Sequence, residues 1–248
     1  NPAVTGLPLD TTYFTSGGSK DTGDLTAWRW TTTDQAPDKD DLTNAYAVTH
    51  RNSNGELIAH FGADRYDVSG SSQIGFWFLK GALGLNANGT FTGQHQHGDL
   101  LVLSDFTQGG AISTIKVYEW DAALKSLKLI LSGVDCASAQ PGAPVCAIVN
   151  KTPAATFWPY RSKSGSTTQF PAGGFFEGGI NLSRYWNLAG LPSSCYASFL
   201  AETRSSASTG AQLKDFALSQ LSLCDAALTL TPASSAAPIN GTQTFTAT

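Results

Sequence analysis

The chain has little charge and no concentration of it. Only 14% of its 248 residues are Asp, Glu, Lys or Arg, against about 25% in an ordinary soluble domain. Thr, Ser, Gly and Asn take the polar positions instead. The net charge of -4 comes without any basic cluster. That excludes nucleic acid as a partner, because gripping a phosphate backbone needs grouped Lys and Arg. No apolar run approaches the roughly 18 residues of a membrane span, so none is expected. Nor does Asn1 open a charged-then-apolar leader, and a secreted chain would already have shed its signal.

Cysteine is scarce too. There are four, with no Cys-x-x-Cys spacing, which argues against a metal or redox motif. Four cysteines allow three pairings. Cys136 with Cys146 and Cys195 with Cys224 is expected, since the first pair closes only a short Pro/Gly/Ala loop. Disulfides imply an oxidising compartment, extracellular or at the cell surface.

What the chain does have is strands. Residues 38–81 hold three apolar runs, at 44–49, 57–61 and 73–79. Asn54-Gly55 between the first two suits a type I′ turn, which predicts a hairpin of fixed register. In its first strand Ala45, Ala47 and Thr49 share one face, and the bulkier Tyr46, Val48 and His50 share the other. Residues 74–79 are apolar on both faces, as in a central strand covered on two sides, with Trp77 in the core. Residues 24–31 alternate like a strand with Trp28 and Trp30 on one face, and 100–106 with 112–120 form a second hairpin. The best helix is short, at 183–188, with Ser183 able to cap it. About a dozen short strands and almost no helix indicate an all-β fold, a two-sheet β-sandwich of jelly-roll, lectin-like kind. Residues 1–225 read as this head domain and 226–248 as a C-terminal strand segment.

The phrases DKDDLTNAYA, HFGADRYD, QIGFWFLKG, HGDLLVLSDFTQGG, VCAIVN, FFEGGINL and FLAETRSS…LKDF fall within about residues 38–224. They resemble the heads of secreted bacterial surface proteins in which a β-sandwich precedes strings of immunoglobulin-like repeats. The architecture is also similar to the concanavalin A-like lectin and glucanase sandwiches. The resemblance implies location rather than chemistry. It extends to the tail, where LTLTPAS and NGTQTFTAT look like the opening strands of such a repeat.

Several groups are candidates for chemistry. Asp38, Asp40, Asp41, Asp64 and Asp67 gather five carboxylates in two neighbouring loops, the oxygen ligands calcium takes, although the spacing matches no EF-hand. His95 and His97 would share a face of an extended chain as metal ligands do, but no third ligand accompanies them. Glu177 and Glu202 lie in strands, the setting of a retaining glycosidase if their carboxyls stand about 5 Å apart. Glu202 is also placed to pair with Arg204, two residues on. Trp28, Trp30, Trp158, Tyr160 and Trp186 are expected at the surface, where aromatic faces stack on sugars.

The leading expectation is a non-catalytic extracellular module for adhesion or surface structure, with a surface glycan as partner. Two alternatives stand beside it. One is a filament subunit that self-associates by donating its terminal strand to a neighbour's open edge. The other is a glycoside hydrolase on a jelly-roll scaffold.

Overall fold

A computed structural model describes residues 11–15, 17–33, 35–106, 114–156, 158–192 and 195–223, with two short strands beyond them. In chain order the strands are β1 (Tyr13–Phe14), β2 (Trp30–Thr31), β3 (Leu42–Arg51), β4 (Leu57–Arg65), β5 (Ser72–Leu79), β6 (Gly84–Leu85), β7 (Phe91–Thr92), β8 (Leu100–Phe106) and β9 (Ile115–Asp121). They continue as β10 (Ser126–Asp135), β11 (Val145–Val149), β12 (Ala154–Ala155), β13 (Gln169–Phe170), β14 (Phe175–Asn181), β15 (Tyr196–Arg204), β16 (Leu213–Leu223), β17 (Leu230–Thr231) and β18 (Thr246–Ala247). One helix, α1 (Leu182–Ala189), follows β14. Among the described residues no helix is long and apolar enough to cross a membrane.

Twelve strands hydrogen-bond in the order β2-β1-β16-β15-β5-β8-β9-β10-β11-β14-β4-β3. Strand β10 turns this ribbon into two layers. It pairs antiparallel with β9 as far as Gly133, with a register shift between Leu129 and Leu131, and its last two residues run parallel to β11. A bulge of that kind bends and twists a strand. The layer β11-β14-β4-β3 then folds over the layer β16-β15-β5-β8. Phe61 of β4 meets Phe76 of β5 at 4.9 Å between ring centroids, and Phe176 of β14 meets Phe76 at 5.4 Å. The chain is an all-β sandwich.

Strand β5 is buried on both faces, as its unbroken apolar run requires. Ile74, Phe76 and Phe78 face the core between the layers. Trp77 and Leu79 face a second core, where Phe14, Leu25, Trp28, Leu83 and Phe91 cover the far side of the sheet.

Three local expectations need correction. The β3–β4 connection is not a type I′ turn, since Gly55 alone of the central pair has positive φ, at 77°. Asn52 organises it instead: its carbonyl accepts from Gly55 N–H, and its side chain accepts from the N–H groups of Asn54 and Glu56. That is a type I turn closed by a glycine bulge. Residues 24–31 do not form one strand, because Asp24 caps a 3-10 turn at Leu25–Ala27 and leaves only β2 extended. The cap of α1 is Asn181, whose side chain accepts from Arg184 N–H, whereas Ser183 accepts from Leu57 N–H in the adjacent strand.

Cys136 and Cys146 are joined as expected. Cys195 is disulfide-bonded, and its expected partner Cys224 lies outside the described residues. In the terminal segment β17 pairs with β18. The remainder of that segment, on which the strand-donation reading rests, is likewise outside them.

Candidate functional site

Alternation along β3, β4 and β14 sends one set of side chains into the core and the other to the outer face of the layer. Ala45 and Ala47 pack inward, so the bulky set faces out. Register then lines up four rungs across the three strands: Asn44–Asp64–Phe175, Tyr46–Gly62–Glu177, Val48–His60–Gly179 and His50–Ile58–Asn181. Directly opposed residues share a face of an antiparallel ladder. Together these rungs make an open trough.

Two glycines shape its floor. A Cβ on Gly62 would stand 2.6 Å from Cε1 of Tyr46, so the bare backbone lets that ring lie across β4. The Tyr46 hydroxyl then reaches β14 and donates to Glu177 Oε1 at 2.9 Å. Burial, reinforced by the Glu177 carboxylate, holds the Tyr46 phenol well above its ordinary pKa, so it keeps its proton and donates. Gly179 leaves room beside His60, which stacks on His50 at 5.1 Å and 15°. Val48 is 53% exposed and Ile148, opposite Glu177 on β11, is 36% exposed.

Loops close both ends. At one end Trp158 lies over Asp64, and its indole donates to Oδ2 at 2.7 Å. Trp158 also packs near Tyr46, Phe170 and Phe175, each at 5.8 Å. At the other end the β3–β4 turn, the disulfide loop and Arg184 of α1 enclose a groove of about 340 Å³. Arg184 bonds the Gly142 carbonyl and pairs with Glu56 at 3.4 Å.

Asp64 is the most perturbed carboxyl of this face. A register shift between Leu42 and Asn44 brings two consecutive side chains onto it. Thr43 Oγ1 donates to Oδ1, and Asn44 Nδ2 lies 3.1 Å from both oxygens. Burial pushes the carboxyl up to about 7, and the bonds from Trp158 and Asn44 offset that only in part.

The arrangement can hold a polyhydroxylated ligand. Aromatic and imidazole faces suit the apolar face of a sugar ring, and Glu177 can accept from hydroxyls. It is not an acid–base pair. Asp64 and Glu177 are diagonal neighbours, about 7–8 Å apart by sheet geometry, and both Asp64 oxygens already accept from protein donors.

The other expected residues are scattered. Trp28, Tyr160 and Trp186 are buried, contrary to the surface positions expected for them. Trp28 plugs the second core and donates to the Lys20 carbonyl, while Tyr160 donates to the Arg65 carbonyl. Trp30 is half-buried and bonds the carbonyls of Asn86 and Thr90, far from the trough. Glu177 and Glu202 sit in different layers and on different faces, so they form no glycosidase pair. Glu202 is completely buried, 3.6 Å from Arg204, as the ion-pair reading anticipates.

The five aspartates do not fit calcium. Asp38 and Asp67 both pair with Lys163, at 2.7 and 3.0 Å. Asp40 accepts from Ser72 and pairs with Lys39, Asp41 is buried, and Asp64 is committed as described. No described group of three carboxylate, imidazole or thiol ligands is placed for a metal ion. His95 and His97 diverge rather than share a face. The first is stacked on Trp120 at 4.2 Å and bonded to Asp99, and the second reaches Glu119.

The chain shows no significant match to family models, to curated proteins or to solved structures. The trough is therefore read from its own chemistry. Sequence reasoning noted Tyr46, Val48 and His50 as one face but gave it no role. The available signal was that the bulky, polar-tipped face of an alternating strand lay opposite a small one, with Gly62 and Gly179 beside it.

Proposed function

We propose that this chain is a non-catalytic extracellular module that recognises a glycan through the outer face of β3, β4 and β14, serving adhesion as the head of a bacterial surface or secreted protein. The observation that carries the reading is the Tyr46–Glu177 pair. A ring laid flat over a glycine floor is locked to a carboxylate, beside stacked histidines and two exposed aliphatic side chains. The disulfide Cys136–Cys146 fits an oxidising medium and pins one wall of the trough. A glycan array probed with the intact protein and with Glu177→Gln tests it. Binding to at least one glycan, weakened in the variant, supports the proposal; an array with no hits removes it.

A second reading rests on a different observation. Strand β3 is ten residues long and lies at the edge of the sheet, paired with β4 among the described strands. Its stretch from Leu42 to Val48 carries no charge and no proline, the usual guards of an exposed edge. That favours self-association by strand addition. Sedimentation velocity of the intact chain over a wide concentration range tests it, and a monomer throughout would exclude it.

A further inference from the structure

The rungs of the trough continue past β14. Register carries one of them across five strands, Val48–His60–Gly179–Cys146–Val134, and the rung beside it runs Tyr46–Gly62–Glu177–Ile148. Val145, Ala147 and Val149 of β11 pack into the core, so Cys146 and Ile148 face outward with the trough. Apolar side chains stand at both ends of the long rung: Val48 is 53% and Val134 45% exposed. From β3 to β10 there are four strand spacings, about 19 Å. Along the strands the trough is bounded, by Trp158 over Asp64 at one end and by the β3–β4 turn, the disulfide loop and Arg184 at the other. Its length therefore lies across the strands.

We propose, on the basis of the glycan reading above, that the occupant is an internal stretch of a neutral, linear, β-linked oligosaccharide that crosses the strands from Val48 to Val134, with about one ring to each strand spacing. A terminal sugar needs a pocket closed around it, whereas a trough that runs on over β11 and β10 accepts a chain continuing in both directions. The floor is low where Gly179 has no side chain, and the Tyr46 ring laid over Gly62 is a flat platform beside it, which suits an extended ribbon rather than a coiled chain. The apolar faces of the rings would rest on Val48, Ile148 and Val134, and their hydroxyls would reach Glu177 and the imidazoles. His50 and His60, stacked on each other, spend no ring nitrogen on another described residue.

Charge argues against the other occupants. Glu177 accepts from the Tyr46 hydroxyl and pairs with no described cation. A uronate, a sulfated sugar or a nucleic acid would bring like charge against it. A second copy docked through the same face would bury Glu177 against an uncharged surface and leave it without a partner. An extended peptide draws its affinity from main-chain pairing at a strand edge, which the face of a sheet does not offer. A neutral sugar chain needs no cation: its hydroxyls donate to the carboxylate while its apolar faces cover the valines.

Calorimetry of the intact protein with neutral β-1,4-linked chains of glucose, xylose, mannose and N-acetylglucosamine, from disaccharide to hexasaccharide, tests the inference. For at least one of these sugars affinity should rise with each added ring until about four or five rings span the strands, and then level off. Val48→Ser and Val134→Ser, at opposite ends of the rung, should each weaken hexasaccharide binding roughly threefold to tenfold. Asn54→Ala, at the end of the strands, should leave it unchanged. The length series needs no variant, so it decides even where a substitution disturbs the fold. No binding to any of the four hexasaccharides, affinity that stops rising at the disaccharide, or hexasaccharide binding that responds to Asn54→Ala and not to Val134→Ser overturns the cross-strand chain. Self-association abolished by Val134→Ser would mark the face as an interface between copies and overturn it as well. An array that returns terminal or acidic sugars, with binding weakened in Glu177→Gln, refutes this inference and leaves the glycan reading standing; an array with no hits removes both.

Discussion

Tyr46 of β3 and Glu177 of β14 are hydrogen-bonded at 2.9 Å across an intervening strand, and the crossing is open only because residue 62 of β4 has no side chain. A methyl group at that position would meet the Phe176 carbonyl oxygen and Tyr46 Cε1, each at 2.6 Å. The ring could tilt away, but the backbone carbonyl cannot. Gly62→Ala is expected to cost about 1–3 kcal/mol by overpacking and to break the Tyr46–Glu177 bond. Gly179→Ala is the comparison, because its nearest atom is His60 Nδ1 at an ordinary 3.5 Å. Urea unfolding should show a clear loss for the first and little for the second. Equal effects would mean that the floor is not shaped as described.

Beneath the opposite face, Asp21, Glu202 and Arg204 are all buried, so two carboxyls share one guanidinium. Burial raises the Glu202 carboxyl well above the ordinary range; Arg204 opposes the shift and Asp21 adds to it. Burial therefore disfavours the charged form of Glu202, which Arg204 only partly restores. Its raised value gives stability that is full below the ordinary carboxylate range and is lost as pH rises through the folded value. Glu202→Gln should cost less than removing Arg204 and should remove Glu202's share of the decline on going alkaline. Arg204→Met, which strands the remaining charge, should cost about 3–5 kcal/mol. Denaturant melts at several pH values distinguish the two. A loss in Glu202→Gln as large as that in Arg204→Met would contradict a carboxyl whose charge burial disfavours.

The Cys136–Cys146 bridge closes a loop of sequence separation 10. Opening it should destabilise the fold by roughly 2–3 kcal/mol through the freed chain, and should loosen the wall that Arg184 reaches through the Gly142 carbonyl. The double variant Cys136→Ser, Cys146→Ser isolates this bridge from the bond at Cys195. A lowered melting temperature is expected, with faster amide exchange at residues 140–146. An unchanged melting temperature would show that the loop is held by other contacts.

Period-two alternation made much of the fold legible before the structure. The two-sided apolar run of β5, the inward Ala45 and Ala47 and the outward Tyr46 and Val48 all follow from it. What stayed hidden was set by single polar contacts over long sequence separations. Whether Trp28 is exposed depends on which segment lies over it, and no local pattern states that it fills a core against Phe14, Trp77 and Phe91. The carboxylates misled for the same reason. Asp38 and Asp67 look like cation ligands in the sequence until Lys163, about a hundred residues on, arrives between them. The trough combines both cases: its outward residues were readable on each strand, but the rungs that unite Tyr46, Gly62 and Glu177 needed the register.

The most direct measurement is a calorimetric titration of a glycan identified on the array against the intact protein, Tyr46→Phe, Glu177→Gln and the double variant, with Trp30→Ala as a remote control. A hydrogen bond to a charged group contributes about 1.5–3 kcal/mol. Glu177→Gln should therefore weaken binding by roughly tenfold to a hundredfold, Trp30→Ala should leave it unchanged, and the two trough substitutions should combine less than additively because they share one contact. Binding indifferent to Glu177→Gln, or lost in Trp30→Ala, would contradict recognition at this face.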